Sequence, residues 1–194
     1  MNFSKIKQLK EIKVEKKKVP IGQYVFEDFM NANEVDVYKF SKAIGSYIIS
    51  FSQLEKSLNE IISKSINDRT DSEGFRVLSF LSFRNKVDYF NWIAKEFIGF
   101  QKNGENKIKR KEYIKYIIEK LKVLNTFRNR IAHASWEYID DDGYVLTKIE
   151  QDKENGSVMF EKVKFTNLLI SKYERQNVAL ATRIDELDEI IFDY

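Results

Sequence analysis

Cysteine is absent from this chain, proline occurs once, at Pro20, and histidine once, at His133. Without cysteine there are no disulfides, thiol nucleophiles, cysteine-ligated zinc sites or iron–sulfur clusters. The main argument for an oxidising compartment also goes. With a single histidine and no ordered carboxylate cluster, no metal site and no cofactor are expected. Beyond residue 30 no proline ring forbids a long helix. No apolar run reaches the length of a bilayer. The start, Met-Asn-Phe-Ser-Lys-Ile-Lys, is basic but leads into no unbroken apolar core. The expectation is a cytoplasmic protein with neither signal peptide nor membrane span.

What is present suits a helical domain. Hydrophobic residues make up 43% of the 194 and charged residues 32%, enough for both a core and a solvated surface. Residues 1–30 read as a basic N-terminal leader, and residues 31–194 as one helical domain. The net charge of +3 is unevenly spread. Residues 1–18 carry +5, residues 101–130 carry +7, and the last ten residues carry −5. Basic stretches attract polyanions even in a chain that is nearly neutral overall. For the N-terminal lysines the plainer reading is a solvated helix face.

Residues 1–18 suggest a loose helix broken by Val19-Pro20-Ile21-Gly22, and Tyr24-Val25-Phe26 a short extended piece. Over 34–67, Val37, Phe40, Ile44, Tyr47, Ile48, Phe51, Leu54, Leu58, Ile61 and Ile62 recur at threes and fours, the mark of one buried helical stripe. Residues 73–98 read as a short helix and a longer one, with Phe75, Leu78 and Leu81 among the core positions and Ser82 as N-cap. Residues 99–109 read as an exposed loop. Residues 110–133 predict a third long helix with the stripe Ile114, Ile117, Leu121, Leu124, Arg128, Ile131. The period then changes. Trp136 to Ile139, the turn Asp140-Asp-Asp-Gly143 and Tyr144 to Ile149 suggest a β-hairpin, with a further strand over 157–163. Residues 166–191 return to helix behind a Thr166 cap.

Two residues in this pattern call for chemistry. Arg128 is in line with a core stripe, and a buried guanidinium needs a carboxylate, backbone carbonyls or a bound phosphate. Glu55, beside the stripe through Phe51 and Leu58, is the natural partner. His133 lies five positions on, about 140° past a full turn of ideal helix, so the two groups converge only where the helix tightens or ends. An imidazole takes and gives protons near neutral pH.

Phe127-Arg128-Asn129-Arg130-Ile131-Ala132-His133 resembles the signature of the HEPN superfamily: an arginine, a polar residue after it, and a histidine after four to six intervening residues. Phe51-Ser-Gln-Leu54-Glu55-Lys-Ser-Leu58 is similar to the Phe-x-x-Leu-Glu-x-x-Leu pattern of an earlier helix in many such proteins. The resemblance spans about residues 36–192. It implies an all-α, HEPN-like helical bundle, here with a small β-hairpin between the motif helix and the C-terminal helix. It also implies a homodimer that joins two motifs at one cleft, and metal-independent endoribonuclease activity in a toxin–antitoxin, anti-phage or RNA-processing setting. An antitoxin or another defence-system protein is an implied partner. In that scheme Arg128 stabilises charge on the phosphate, His133 moves protons and Asn129 positions the histidine or the phosphate. Two residues after the histidine some members carry a tyrosine that a partner modifies; here Ser135 stands there.

Lys107, Lys109, Arg110, Lys111 and Arg130 are candidate contacts to the RNA backbone, with a solvated surface as the alternative. Trp92, Tyr113, Tyr116 and Trp136 offer rings for base stacking, or belong to the core. The competing function is a non-catalytic HEPN adaptor or RNA-binding module, in which Arg128 and His133 are structural.

Overall fold

The computed structural model describes residues 9–23, 38–66, 72–100, 105–136, 139–140, 142–152 and 156–192. The chain is mostly helical, with one small antiparallel sheet. In order, the elements are β1 (Lys16–Pro20), α1 (Tyr38–Ser65), α2 (Ser72–Ser79), α3 (Phe83–Phe100), α4 (Glu105–His133), β2 (Tyr144–Gln151), β3 (Val158–Lys164) and α5 (Asn167–Phe192). Two compact units partition it. The first comprises Met1–Lys10, Ile49–Thr126 and Arg175–Tyr194, the second Glu11–Ile48 and Phe127–Glu174.

The first unit is a helical core. Leu54, Leu58, Ile61 and Ile62 of α1, Val87, Phe90 and Ala94 of α3, Ile117, Leu121 and Leu124 of α4, and Leu180, Ile184 and Leu187 of α5 are all buried. The spacing of threes and fours puts each set on one helical face. Buried Asn177 donates from Nδ2 to Ser50 Oγ at 2.9 Å. Ser82 caps α3 by accepting the Asn85 amide at 3.2 Å, as expected of that serine. The Leu9 amide donates to Tyr116 Oη at 2.6 Å, and Gln176 Nε2 donates to the Lys10 carbonyl at 2.6 Å.

The second unit holds the sheet, in the order β1-β3-β2. Both pairings are antiparallel, and a bulge between Leu146 and Lys148 shifts the β2–β3 register. The unit is built around Phe127 of α4, which is 1% exposed. Its ring stacks on Tyr173 with centroids 3.6 Å apart, meets Tyr47 edge-on at 5.3 Å and lies 6.0 Å from Phe165. Trp136 extends the cluster to Phe40 and Phe165. Asp140 makes the turn ahead of β2: its carbonyl accepts the Gly143 amide and its carboxylate accepts the Tyr144 amide, both at 2.8 Å. Gly143 takes φ +85°, which glycine adopts without the penalty of a side chain. Thr166 Oγ1 accepts the Leu169 amide at 3.0 Å, the expected cap on α5.

Several expectations give way. Lys16–Pro20 is a strand, because alternate residues of that stretch find a partner strand in β3; the expected loose helix is replaced there, and the hairpin becomes a three-stranded sheet. Among the described residues the strand expected over Trp136–Ile139 contributes the bridge Ile139–Val145, and the hairpin is formed by β2 and β3. Part of the expected 99–109 loop is helix, at the end of α3 and the start of α4. Phe75 is half exposed while Leu78 carries the buried face of α2. Tyr24-Val25-Phe26 and Val37 lie outside the described residues. Phe127, rather than Arg128, continues the stripe from Leu124 to Ile131, and Arg128 is exposed.

Removing the Phe127 ring vacates the centre of the second unit. Phe127→Ala is expected to destabilise it by about 3–5 kcal/mol, whereas Phe75→Ala changes stability by about 0.5 kcal/mol or less. Denaturant unfolding followed by Trp136 fluorescence in a Trp92→Phe background, where it is the sole indole, measures both.

Candidate functional site

The last turns of α4 sort their residues by rotation. Each step along an α-helix turns about 100°, so burying Phe127 and Ile131 fixes where their neighbours point. Arg128, Asn129 and His133 are exposed, and Arg130 is half-buried. Arg128 Nη1 donates to Asn129 Oδ1 at 3.1 Å. The pair leaves a guanidinium and an amide oriented side by side at the surface.

The helix ends where the motif ends. His133 is the last residue of α4. The final carbonyls of a helix lack partners within it; here Trp136 Nε1 donates to the Ile131 carbonyl at 3.0 Å. The chain is then captured by the sheet, with the Ser135 amide donating to the Leu146 carbonyl at 2.9 Å. Trp136 therefore caps the helix and packs on aromatic rings rather than offering a face for base stacking. Because the helical path persists through His133, Arg128 and His133 leave the axis about 140° apart, with a rise of about 7.5 Å between them.

Arg130 faces the sheet. Its Nε lies 3.4 Å from Glu161 Oε1, and Lys16 Nζ lies 3.5 Å from Glu161 Oε2. The Glu161 side chain is only 10% exposed, a burial that requires charge compensation, and the two cations supply it. Arg130 is thus engaged within the unit. Sequence reasoning does not single out Glu161, nor the bond by which Trp136 caps the helix. The alternation Met159, Glu161, Val163 was the available signal, since it puts a glutamate in line with a fully buried valine.

Charge pairing organises the rest of the sheet. Lys17 and the buried Lys162 converge on Asp140 Oδ2 at 2.9 and 3.4 Å. Burial pushes the Asp140 carboxyl up, but Lys17, the Tyr144 amide and Lys162 outweigh it and hold the group below its ordinary value. The hydrogen bond from Tyr144 Oη to Glu15 (2.6 Å) is the main cause that pushes the Tyr144 hydroxyl up to about 12. Lys148 and Lys18 hold Glu150 down to about 2. Lys16, Lys17 and Lys18, read from sequence as a solvated face, each have a carboxylate partner.

The other candidates belong to the first unit. Glu55, expected beside Arg128, has its carboxylate on Lys86 Nζ at 2.6 Å, and Lys86 is itself buried. Lys107, Lys109, Arg110 and Lys111 sit in the first turns of α4, with Lys111 exposed and the others half-buried. Tyr113 is buried, and burial is the main cause that pushes its hydroxyl up to about 12. Trp92 is exposed, against Tyr89. Among the described residues no three His, Asp or Glu side chains are grouped as metal ligands, and no described helix is long and apolar enough to cross a membrane.

No family model, curated protein or solved structure matches this chain. The functional reading therefore rests on the residues of the helix end.

A carboxyl held low when folded adds stability above its ordinary value and loses it as pH falls through the lowered one. Asp140→Asn is expected to cost about 1 kcal/mol at pH 7. The gap to the wild type should close below pH 4, roughly the ordinary aspartate range. Chemical denaturation at a series of pH values measures the difference.

Proposed function

We propose that this chain is a metal-independent endoribonuclease of the HEPN type, with Arg128 and His133 as its catalytic residues and Asn129 orienting the arginine. The observation that carries the reading is the exposure of Arg128, Asn129 and His133 on one helix end whose neighbouring Phe127 and Ile131 are buried. The side chains with catalytic chemistry are accessible to a polymer while the helix beneath them is anchored.

The chemistry follows from the groups. The ribose 2′-oxygen attacks the adjacent phosphorus, the P–O5′ bond breaks, and a 2′,3′-cyclic phosphate and a 5′-hydroxyl result. Arg128 balances the charge that builds on the non-bridging oxygens, through paired hydrogen bonds. His133 takes the proton from the 2′-hydroxyl or gives one to the departing O5′. The wide angle between the two side chains on one helix favours a composite site, in which a homodimer brings the arginine of one copy to the histidine of the other. A toxin or anti-phage role in the cytoplasm, with an antitoxin or defence partner, is the setting such an activity fits.

Purified protein is expected to cleave single-stranded RNA in excess chelator and to spare the same sequence with 2′-deoxyribose at the cut position. Arg128→Ala and His133→Ala should each lower the rate by about 10²-fold or more. Because both side chains are exposed, melting should shift little. Wild-type protein that binds RNA in a salt-dependent way without cutting it would instead make the chain a non-catalytic RNA-binding module.

A further inference from the structure

We propose that Glu161 is a positioning residue that fixes the rotation of the last turn of α4 by holding Arg130. The inference concerns how the helix end is presented. Its kinetic part rests on the ribonuclease reading, while its structural part does not.

Glu161 stands on the face of β3 that also carries Val163, and both Val163 and its β2 partner Val145 are fully buried. An apolar side chain at that position would be easier to bury, since a carboxylate must be stripped of water. A glutamate is there instead, and its two oxygens face two cations on different elements: Arg130 of α4 and Lys16 of β1. An apolar contact between helix and sheet tolerates small rotations at little cost. An ion pair to one buried carboxylate does not, because turning the helix withdraws one of its two cations and leaves Lys16 alone to compensate the charge. Arg130 lies two residues after Arg128 and three before His133. Any rotation about the axis at Arg130 carries both of them with it.

The Ile131 carbonyl bonded to Trp136 limits fraying of the same turn, but it constrains the end along the axis more than about it. Rotation is left to the buried Phe127 and Ile131 and to Arg130. Phe127 belongs to a broad aromatic cluster, whereas Arg130 has a single carboxylate opposite. The pair is therefore assigned the finer setting.

The test compares full-length wild type, Glu161→Met, Arg130→Met and the double variant. Methionine fills the volume and removes the charge, so the fold has an apolar substitute. Two readouts are needed. Amide hydrogen exchange at residues 128–133 should quicken by about tenfold in either single variant and no further in the double, with Leu121 and Leu124 unchanged. RNA cleavage should lose about ten- to a hundredfold in kcat at unchanged KM. Unchanged exchange overturns the proposal, and so does faster exchange with unchanged kcat. A rise in KM without loss of kcat also overturns it, since that would make Arg130 an RNA contact. If wild-type protein does not cleave RNA, the ribonuclease reading fails by itself, and the exchange pattern alone decides whether Glu161 holds the helix end.

Discussion

The stack of Phe127 on Tyr173 is the contact on which the geometry of the second unit depends. Phe127 is the point where α4 enters that unit, and four other aromatic residues reach its ring directly or through the cluster. Once this ring is inside, helix geometry leaves little choice. Ile131, one turn later, must also be inside, and Arg128, one step away, must turn out. The exposure of the motif residues follows from burial of Phe127 before them and Ile131 among them. A buried ring of this size contributes several times what an exposed ion pair does, so the surface chemistry is subordinate to the core.

The sheet is unusual in how much charge it buries. Lys162 and Glu161 are adjacent on β3 and point to opposite faces, and both are less than 9% exposed. Each is matched by charges from elsewhere in the unit: Asp140 for Lys162, Arg130 and Lys16 for Glu161. Slipping β3 by one residue would exchange the two faces and set like charges against each other. The charges therefore specify register in a short sheet where apolar pattern alone would specify it weakly. The same logic explains β1. Its lysines resemble a polyanion-binding tail in sequence, but their carboxylates are supplied from the sheet and the turn before it.

Much of this was legible where one local signal was strong. The long helices announced themselves through stripes at threes and fours, and the serine and threonine caps at Ser82 and Thr166 fell where expected because a hydroxyl before an apolar run has few other uses. The end of α4 at His133 was also readable. The sequence could not separate Phe127 from Arg128 as the core residue, since both lie within one step of the line from Leu124 to Ile131. Only the aromatic partners Tyr47, Phe165 and Tyr173, distant in sequence, decide it. That Glu55 pairs with Lys86 is hidden for a related reason. A carboxylate on a helix has many cations within reach, and Lys86 gave no sign in the sequence that it would be buried. Strand β1 was missed because its pairing partner lies more than a hundred residues away.

The segment Arg128-Asn129-Arg130 shows how two arginines two positions apart acquire different work. Asn129 accepts from Arg128 through a neutral amide, a contact that orients the guanidinium. Glu161 faces Arg130 with a full negative charge in a buried setting, which both holds and neutralises it. A group meant to meet a phosphate needs the first kind of partner, and a group meant to hold a helix in place needs the second. Removing the Glu161 carboxylate would leave the half-buried Arg130 without this counter-charge. The order of polar partners along this turn is therefore as much a part of the proposed site as the arginine and histidine that flank it.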